Sequence, residues 1–194
     1  MRAFVLIGLL AITSVSTAKA EPPEGRYREI RASLSGGVVG LSGSATRLMK
    51  TGPTIGADVG IALSPRVMAG LRLEIGPLES KLDAVGQTRI ATDDNDWTWY
   101  AAGLFGEYVV ANATVAPVIG GRVGIDGIHI SYAQQQADGA TGVGDFGVGY
   151  AAFVGLRYRA NPRLGGLLDV AAERCPSTST GWYFPARAAL AIFL

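Results

Sequence analysis

The sequence has few cysteines, few charges and no long apolar run, and each of these features excludes a class of structure or function. It has one cysteine in 194 residues, so no internal disulfide can form. No stretch approaches 18 unbroken apolar residues, which excludes a transmembrane helix. Lys and Arg total 17 against 16 Asp and Glu, so the chain lacks the basic excess of a nucleic-acid-binding protein. Only 17% of residues are charged while 48% are hydrophobic, which is unusual for a soluble secreted domain.

Residues 1–20 have the pattern of a secretory signal peptide. Arg2 precedes the apolar run AFVLIGLLAI, and Ala18 and Ala20 are spaced as a small-x-small cleavage site before EPP. The pattern predicts export and a mature domain of residues 21–194, which is one domain by length. No Cys follows the cleavage site, so the segment is not a lipoprotein signal.

The mature chain alternates apolar with small or polar residues, and this period of two predicts eight β-strands. The predicted strands are residues 27–39, 54–63, 67–75, 97–110, 115–126, 147–159, 164–173 and 183–194. Three connections are tight turns, SPR, ANAT and ANPR, and the other four are long: 40–53, 76–96, 127–146 and 174–182. Short turns at one end and long loops at the other are typical of an eight-stranded antiparallel up-and-down transmembrane β-barrel, with the turns periplasmic and the loops extracellular.

The alternation also assigns the charges to one face. In VMAGLRLEIG, Arg72 and Glu74 share a face, and Leu71, Leu73 and Ile75 lie on the other. Extended to every strand, the charged face predicts a paired network in a narrow lumen, because isolated buried charges are costly and oppositely charged neighbours offset that cost. The predicted network is Glu29, Arg31, Asp58, Arg72, Glu74, Glu107, Arg122, Arg157, Asp169 and Arg187.

A soluble lipocalin-like barrel that binds a lipophilic ligand in the periplasm is the alternative with the faces reversed. Its charged face would be its surface, and one or two charges per strand among Gly and Ala make a poor soluble surface. The membrane barrel is therefore favoured. Aromatic residues agree, since eight flank the long loops and three lie toward the short turns, as in the girdles at the two membrane interfaces. They are Trp97, Trp99, Tyr100, Phe146, Tyr150, Trp182, Tyr183 and Phe184, and then Tyr27, Tyr108 and Tyr158.

The signal peptide, the eight alternating strands, the short turns, the long loops and the final ALAIFL together resemble the small outer-membrane barrels of the OmpA-type and opacity-protein superfamily. The resemblance covers the whole mature chain and implies a Gram-negative outer-membrane location. It implies contact with outer-membrane lipid and lipopolysaccharide, and insertion by the barrel assembly machinery, which reads a C-terminal aromatic. Here Phe193 is penultimate and Leu194 is last. The expected role is structural, surface-interacting or adhesin-like, with an extracellular ligand contacted through the long loops.

One motif is the candidate for an enzyme active site. His129 and Ser131, in HIS at the start of the third long loop, are two apart on one strand face, and a Ser beside a His can become an activated nucleophile. The spacing resembles the His-x-Ser pair of outer-membrane lipid A deacylases. Tyr132 stands where that family has Asn, and the available acids, Asp138 and Asp145, are loop residues. We therefore expect no enzyme activity and interpret His129 as a polar loop residue.

TDDNDW gathers Asp93, Asp94 and Asp96, whose oxygens are the kind of ligand that hard cations such as calcium bind. The segment lacks the Gly and the distal Glu of an EF-hand loop, so a solvated loop is the favoured interpretation. We expect no cofactor.

Overall fold

The structure is a computed structural model that describes residues 29–42, 51–78, 96–131, 143–174 and 182–194. These residues form eight strands in chain order. They are β1 (Ile30–Leu41), β2 (Gly52–Ala62), β3 (Val67–Leu78), β4 (Asp96–Val109), β5 (Val115–Ser131), β6 (Val143–Arg159), β7 (Leu164–Arg174) and β8 (Trp182–Phe193). Within the described ranges, no helix is long and apolar enough to cross a bilayer. The signal peptide predicted for residues 1–20 lies outside these ranges.

Each strand pairs antiparallel with the next, and β8 pairs with β1, so the sheet closes on itself. Closure leaves no row of unpaired backbone N–H and C=O groups at a sheet edge. Side chains fix two of the short turns, those that contain Ser64 and Asn161. Asn161 Oδ1 accepts hydrogen bonds from the N–H of Arg163 and of Leu164, at 2.8 and 2.9 Å. The predicted eight-stranded antiparallel barrel is therefore confirmed.

The largest differences from the predicted strand bounds are in β5 and β6. The sequence predicts a loop from residue 127 to residue 146, but β5 continues to Ser131 and β6 begins at Val143. Glycines such as Gly127 and Gly144 lower intrinsic strand propensity. In a closed barrel, however, each strand is paired on both sides: Gly127 lies between Tyr100 of β4 and Phe146 of β6. Tertiary pairing overrides the local preference.

The two faces of the sheet differ as the alternation predicts. Outward positions carry large apolar side chains that are exposed on every strand, among them Leu34, Val59, Leu73, Leu104, Ile125, Val154, Leu168 and Leu190. Inward positions carry small residues and charged side chains, and Arg72 and Glu74 are 4% and 5% exposed. This arrangement is the reverse of the lipocalin-like alternative, which needs an apolar lumen and a charged exterior.

Candidate functional site

The lumen is the chemically distinctive part of the described structure, because ten charged side chains are buried in it. Each is no more than 5% exposed, although an isolated charge in such surroundings would cost several kcal/mol. The ten are Arg31, Asp58, Arg72, Glu74, Glu107, Arg122, Asp126, Asp169, Glu173 and Arg187. Their arrangement is two groups joined by one arginine.

The first group is nearer the short turns and is centred on Arg31 of β1. Its Nη1 donates to Glu107 Oε1 at 2.7 Å, and its Nη2 lies 3.2 Å from Asp58 Oδ1. Ser33, two residues along the same strand, donates its hydroxyl to the other oxygen of Asp58 at 2.5 Å. Asp58 is thus hydrogen-bonded through both oxygens, as a buried carboxylate must be to avoid a desolvation penalty.

The second group is nearer the long connections and contains two arginines. Arg187 of β8 contacts both oxygens of Glu74 through Nη1, at 2.8 and 2.7 Å, and its Nη2 lies 2.6 Å from Asp169 Oδ1. Arg122 of β5 donates to both oxygens of Asp126, at 2.6 and 2.9 Å. Glu173 lies between the two arginines, 3.1 Å from Arg122 and 3.4 Å from Arg187, so it couples them.

Arg72 of β3 connects the two groups. Its guanidinium lies 3.8 Å from Asp58 in the first group and 3.9 Å from Asp169 in the second. It also lies between two aromatic rings, 5.2 Å from the centroid of Phe105 and 5.0 Å from that of Phe153. These cation–π contacts supplement ion pairs that are too long for good hydrogen bonds.

Glycines give the long side chains their room. Arg72 is the register partner of Gly103, which continues across the sheet to Gly124 and Gly149. A methyl group on Gly149 would overlap the carboxylate of Asp126, the residue that holds Arg122. At Gly149 the absence of a side chain is therefore a packing requirement of the charged network, whereas a methyl group on Gly103 or Gly124 would meet the backbone of the neighbouring strand.

Apolar layers lie at both ends of the network. Toward the long connections, Val39, Leu78, Trp99, Ala101, Ile128 and Tyr183 form a buried cluster. Toward the short turns, Val109, Ala116, Val118 and Leu167 form another. The first layer corrects a prediction: Trp99 and Tyr183 do not belong to the outward girdle. They are 0% and 2% exposed, and their rings stack with centroids 6.2 Å apart inside the barrel.

Other aromatic residues do form an outward band near the long connections. Tyr100 and Phe146 lie 6.2 Å apart over Gly127, which has no side chain to separate them. Tyr150 meets Trp182 edge to face at 6.5 Å. At the other end, Tyr108 and Tyr158 are exposed on the outward face. Tyr27 lies outside the described residues.

The predicted network members lie in the lumen or at its short-turn end. Glu29 and Arg159 pair there at 2.5 Å, with about a third of each side chain exposed. Arg157 is half-buried and close enough to interact electrostatically with Glu107. Two residues that the structure places in the network, Asp126 and Glu173, are missing from the predicted set. Their alternation with Arg122 and Asp169 could have found them, because each is four residues further along the same strand.

The other candidate residues are placed as follows. His129 and Ser131 lie in β5 rather than at the start of a loop, which corrects the prediction, because β4 and β6 both pair with this segment. His129 is partly exposed, and its register partners are Thr98 and Gly144. Asp145 belongs to β6 rather than to a loop, and its register partner is Ile128. Asp138 lies outside the described residues.

The predicted acidic segment is divided by the start of β4. Asp96 is the first residue of that strand and pairs in register with Ser131, whereas Asp93 and Asp94 lie outside the described residues. Within the described ranges, no group of three or more His, Cys, Asp or Glu side chains is arranged to hold a metal ion. The lumen carboxylates are engaged with arginines instead.

The arrangement is suited to closing the lumen. Guanidinium groups occupy its centre, and apolar layers lie beyond them toward both ends. An eight-stranded barrel has an interior that side chains just fill. Ions would have to displace paired charges or cross an apolar layer to pass.

The fold is that of small eight-stranded outer-membrane β-barrels. The structure is similar to Neisserial surface protein A (NspA), with a TM-score of 0.59, 12% identity, and coverage of 87% of this chain and 99% of that one. Ail, the attachment invasion locus protein of Yersinia pestis, in complex with the heparin analogue sucrose octasulfate, gives a TM-score of 0.55, 11% identity, and coverage of 87% and 100%. The N-terminal β-barrel domain of Pseudomonas aeruginosa OprF gives a TM-score of 0.54 and 11% identity, with coverage of 86% of this chain and 97% of that one. No protein-family model and no curated protein matches the sequence. At these identities the similarity concerns the fold.

Proposed function

We propose that this protein is an integral barrel of the bacterial outer membrane with a structural, surface-interacting or adhesin-like role. The observation that carries the proposal is the contrast between the faces: exposed Leu, Ile and Val on every strand outside, paired charges inside. An apolar exterior of this extent is unfavourable in water and favourable against lipid. The closed, filled lumen supports a role in which the long connections contact the surroundings.

The proposal orients the barrel with its long connections outside the cell and its short turns in the periplasm, and protease treatment of intact cells can test this. The connection at residues 79–95 contains Lys81 and Arg89, both trypsin sites, and the short turn at residues 63–66 contains Arg66. Externally added trypsin should cut within residues 79–95 and spare the turn until the outer membrane is broken. A chain that stays intact in whole cells, and is cut at Arg66 after lysis as readily as within 79–95, would contradict this orientation.

The surface-interaction role needs its own test. Cells that express the protein should adhere to immobilised extracellular-matrix protein or heparin better than cells without it. A variant with residues 79–95 replaced by a two-residue Asn-Gly turn should lose that adherence, since this turn type joins antiparallel strands without disturbing them. Heat-dependent gel mobility of the variant would show that its barrel is intact. Equal adherence of cells with and without the protein would refute the surface-interaction role, and only the structural role would remain.

Two partners follow from the proposal. The assembly machinery would insert the barrel by its last strand, where Phe193 lies inside with its ring 4.1 Å from the Arg159 guanidinium. Leu194, the final residue, is 75% exposed on the outward side. Outer-membrane lipid would cover the apolar exterior.

A lipid A deacylase-like hydrolase is the second candidate, and one observation favours it. The β4–β5 register sets Asp96 opposite Ser131 and Thr98 opposite His129, so an acid occupies the neighbouring strand beside the His-x-Ser pair. Mass spectrometry of lipid A from cells with and without the protein separates the two functions. An acyl chain lost in the presence of the protein, and retained with His129→Ala, would establish the hydrolase; unchanged lipid A would exclude it.

A further inference from the structure

One outward-facing side chain breaks the pattern of the exterior. Among the outward strand positions whose side chains the structure describes, Arg174 is the only Arg, Lys or carboxylate. It is the last residue of β7, at the end of the barrel where the long connections lie, and it is exposed. A charge on the lipid side of a barrel is costly at the bilayer midplane and is tolerated near the interface, so the position of Arg174 at the end of its strand is informative.

Arg174 lies in a row with two aromatic residues and contacts the ring of one of them, Trp182. Tyr150, Arg174 and Trp182 are consecutive register partners across β6, β7 and β8, so their side chains form one row on the outer surface. The Arg174 guanidinium lies 5.6 Å from the centroid of the Trp182 ring, and Tyr150 meets the same ring edge to face. Trp and Tyr are the residues that concentrate at the level of lipid headgroups.

The guanidinium has charge and donors left to offer. In the described part of the chain, no carboxylate lies within ion-pair distance of Arg174. A cation–π contact orients the group but uses none of its five N–H donors, and a planar fork of such donors matches the oxygens of a phosphate. The lumen arginines are different, because carboxylates already surround them.

We propose that Arg174, oriented by the ring of Trp182, binds a phosphate group of the phosphorylated glycolipid in the outer leaflet of the outer membrane. The inference rests on the proposed outer-membrane location, which places this end of the barrel at the outer leaflet. The aromatic row lies against the acyl chains and sugar beneath the phosphate. The Arg174 guanidinium then meets a negative charge at the depth where the headgroups begin.

Native mass spectrometry of the folded protein in detergent tests this assignment. The probes are lipid A with both phosphates and the same lipid A after enzymatic dephosphorylation. The native protein should retain the phosphorylated probe, and Arg174→Gln should weaken retention about tenfold, as expected for losing a charge-assisted hydrogen bond. Arg66→Gln is the matched control, since Arg66 is also exposed and donates to the hydroxyl of Tyr108, but at the opposite end of the barrel.

Three outcomes would overturn the assignment. They are equal retention of both probes, equal weakening by the two substitutions, and equal competition by a phosphatidylglycerol of matched chain length, which would indicate a general anionic-lipid contact. Heat-dependent gel mobility must first show that each variant is folded. The proposed outer-membrane location is tested separately by fractionation, so a native protein found in the outer membrane that fails to discriminate the probes would refute the Arg174 site alone.

Discussion

Removing Arg187 is the perturbation to which the lumen network should respond most strongly. This side chain is 3% exposed and contacts three carboxylates, at 2.7 Å for Glu74, 2.6 Å for Asp169 and 3.4 Å for Glu173. Arg187→Met keeps a long side chain but, among the residues that the structure describes, leaves no guanidinium within ion-pair distance of Glu74. Breaking a buried ion pair in this way costs about 3–5 kcal/mol, because the remaining charge is buried and uncompensated.

The assay is equilibrium unfolding in urea, followed by tryptophan fluorescence in lipid vesicles. With a slope of about 2 kcal/mol per molar, the expected loss lowers the midpoint by about 2 M. The control is Leu190→Ala on the same strand, where the side chain is 62% exposed on the outward face. That change removes apolar surface without touching a charge, and it should cost about 1 kcal/mol.

A second substitution makes the test specific for pairing. In Arg187→Met with Glu74→Gln, the carboxylate that lost its partner is neutral, so the double variant should regain about 1 kcal/mol relative to Arg187→Met alone. The pairing argument is refuted if Arg187→Met costs no more than Leu190→Ala. Strictly additive losses in the double variant would also refute it.

Three further predictions follow from the same geometry. Arg72→Ala should lower the urea midpoint less than Arg187→Met but more than the outward Leu73→Ala. The ion pairs of Arg72 are 3.8 and 3.9 Å long, and its ring contacts are worth about 1 kcal/mol each. A smaller effect than that of Leu73→Ala would contradict this prediction. In variants that keep a single tryptophan, brominated acyl chains should quench Trp182 strongly and Trp99 weakly, since Trp182 is 37% exposed and Trp99 is buried inside the barrel; equal quenching would mean that the faces are wrongly assigned. Purified protein in planar bilayers should give no large, steady conductance steps, and a stable open level would show that the two apolar layers do not close the lumen.

Alternation along the sequence is enough to predict the faces, because a closed barrel keeps a strict period of two. Arg72 and Glu74 share a parity, and so do Leu71 and Leu73, and the structure places each pair accordingly. For Trp99, alternation and position along the chain predict different faces. Its position beside a long connection predicts an interfacial ring, but it has the parity of Phe105 and Glu107, and the structure follows the parity.

The partners within the lumen could not be predicted, because they depend on which strands face each other across the barrel. Arg31 and Glu107 are 76 residues apart and belong to strands that are not neighbours. Arg187 and Glu74 are 113 residues apart. Such contacts follow from the stagger of the strands around the barrel, which no local pattern in the sequence encodes.

Heat-dependent mobility on a detergent gel tests the central claim most directly, using the outer-membrane fraction of cells that express the full precursor. A closed barrel resists detergent until it is boiled, because every strand edge is paired and the interior is filled. The account predicts a band in that fraction whose mobility changes between unboiled and boiled samples. Protein found in the soluble periplasm, with the same mobility in both, would contradict the membrane barrel.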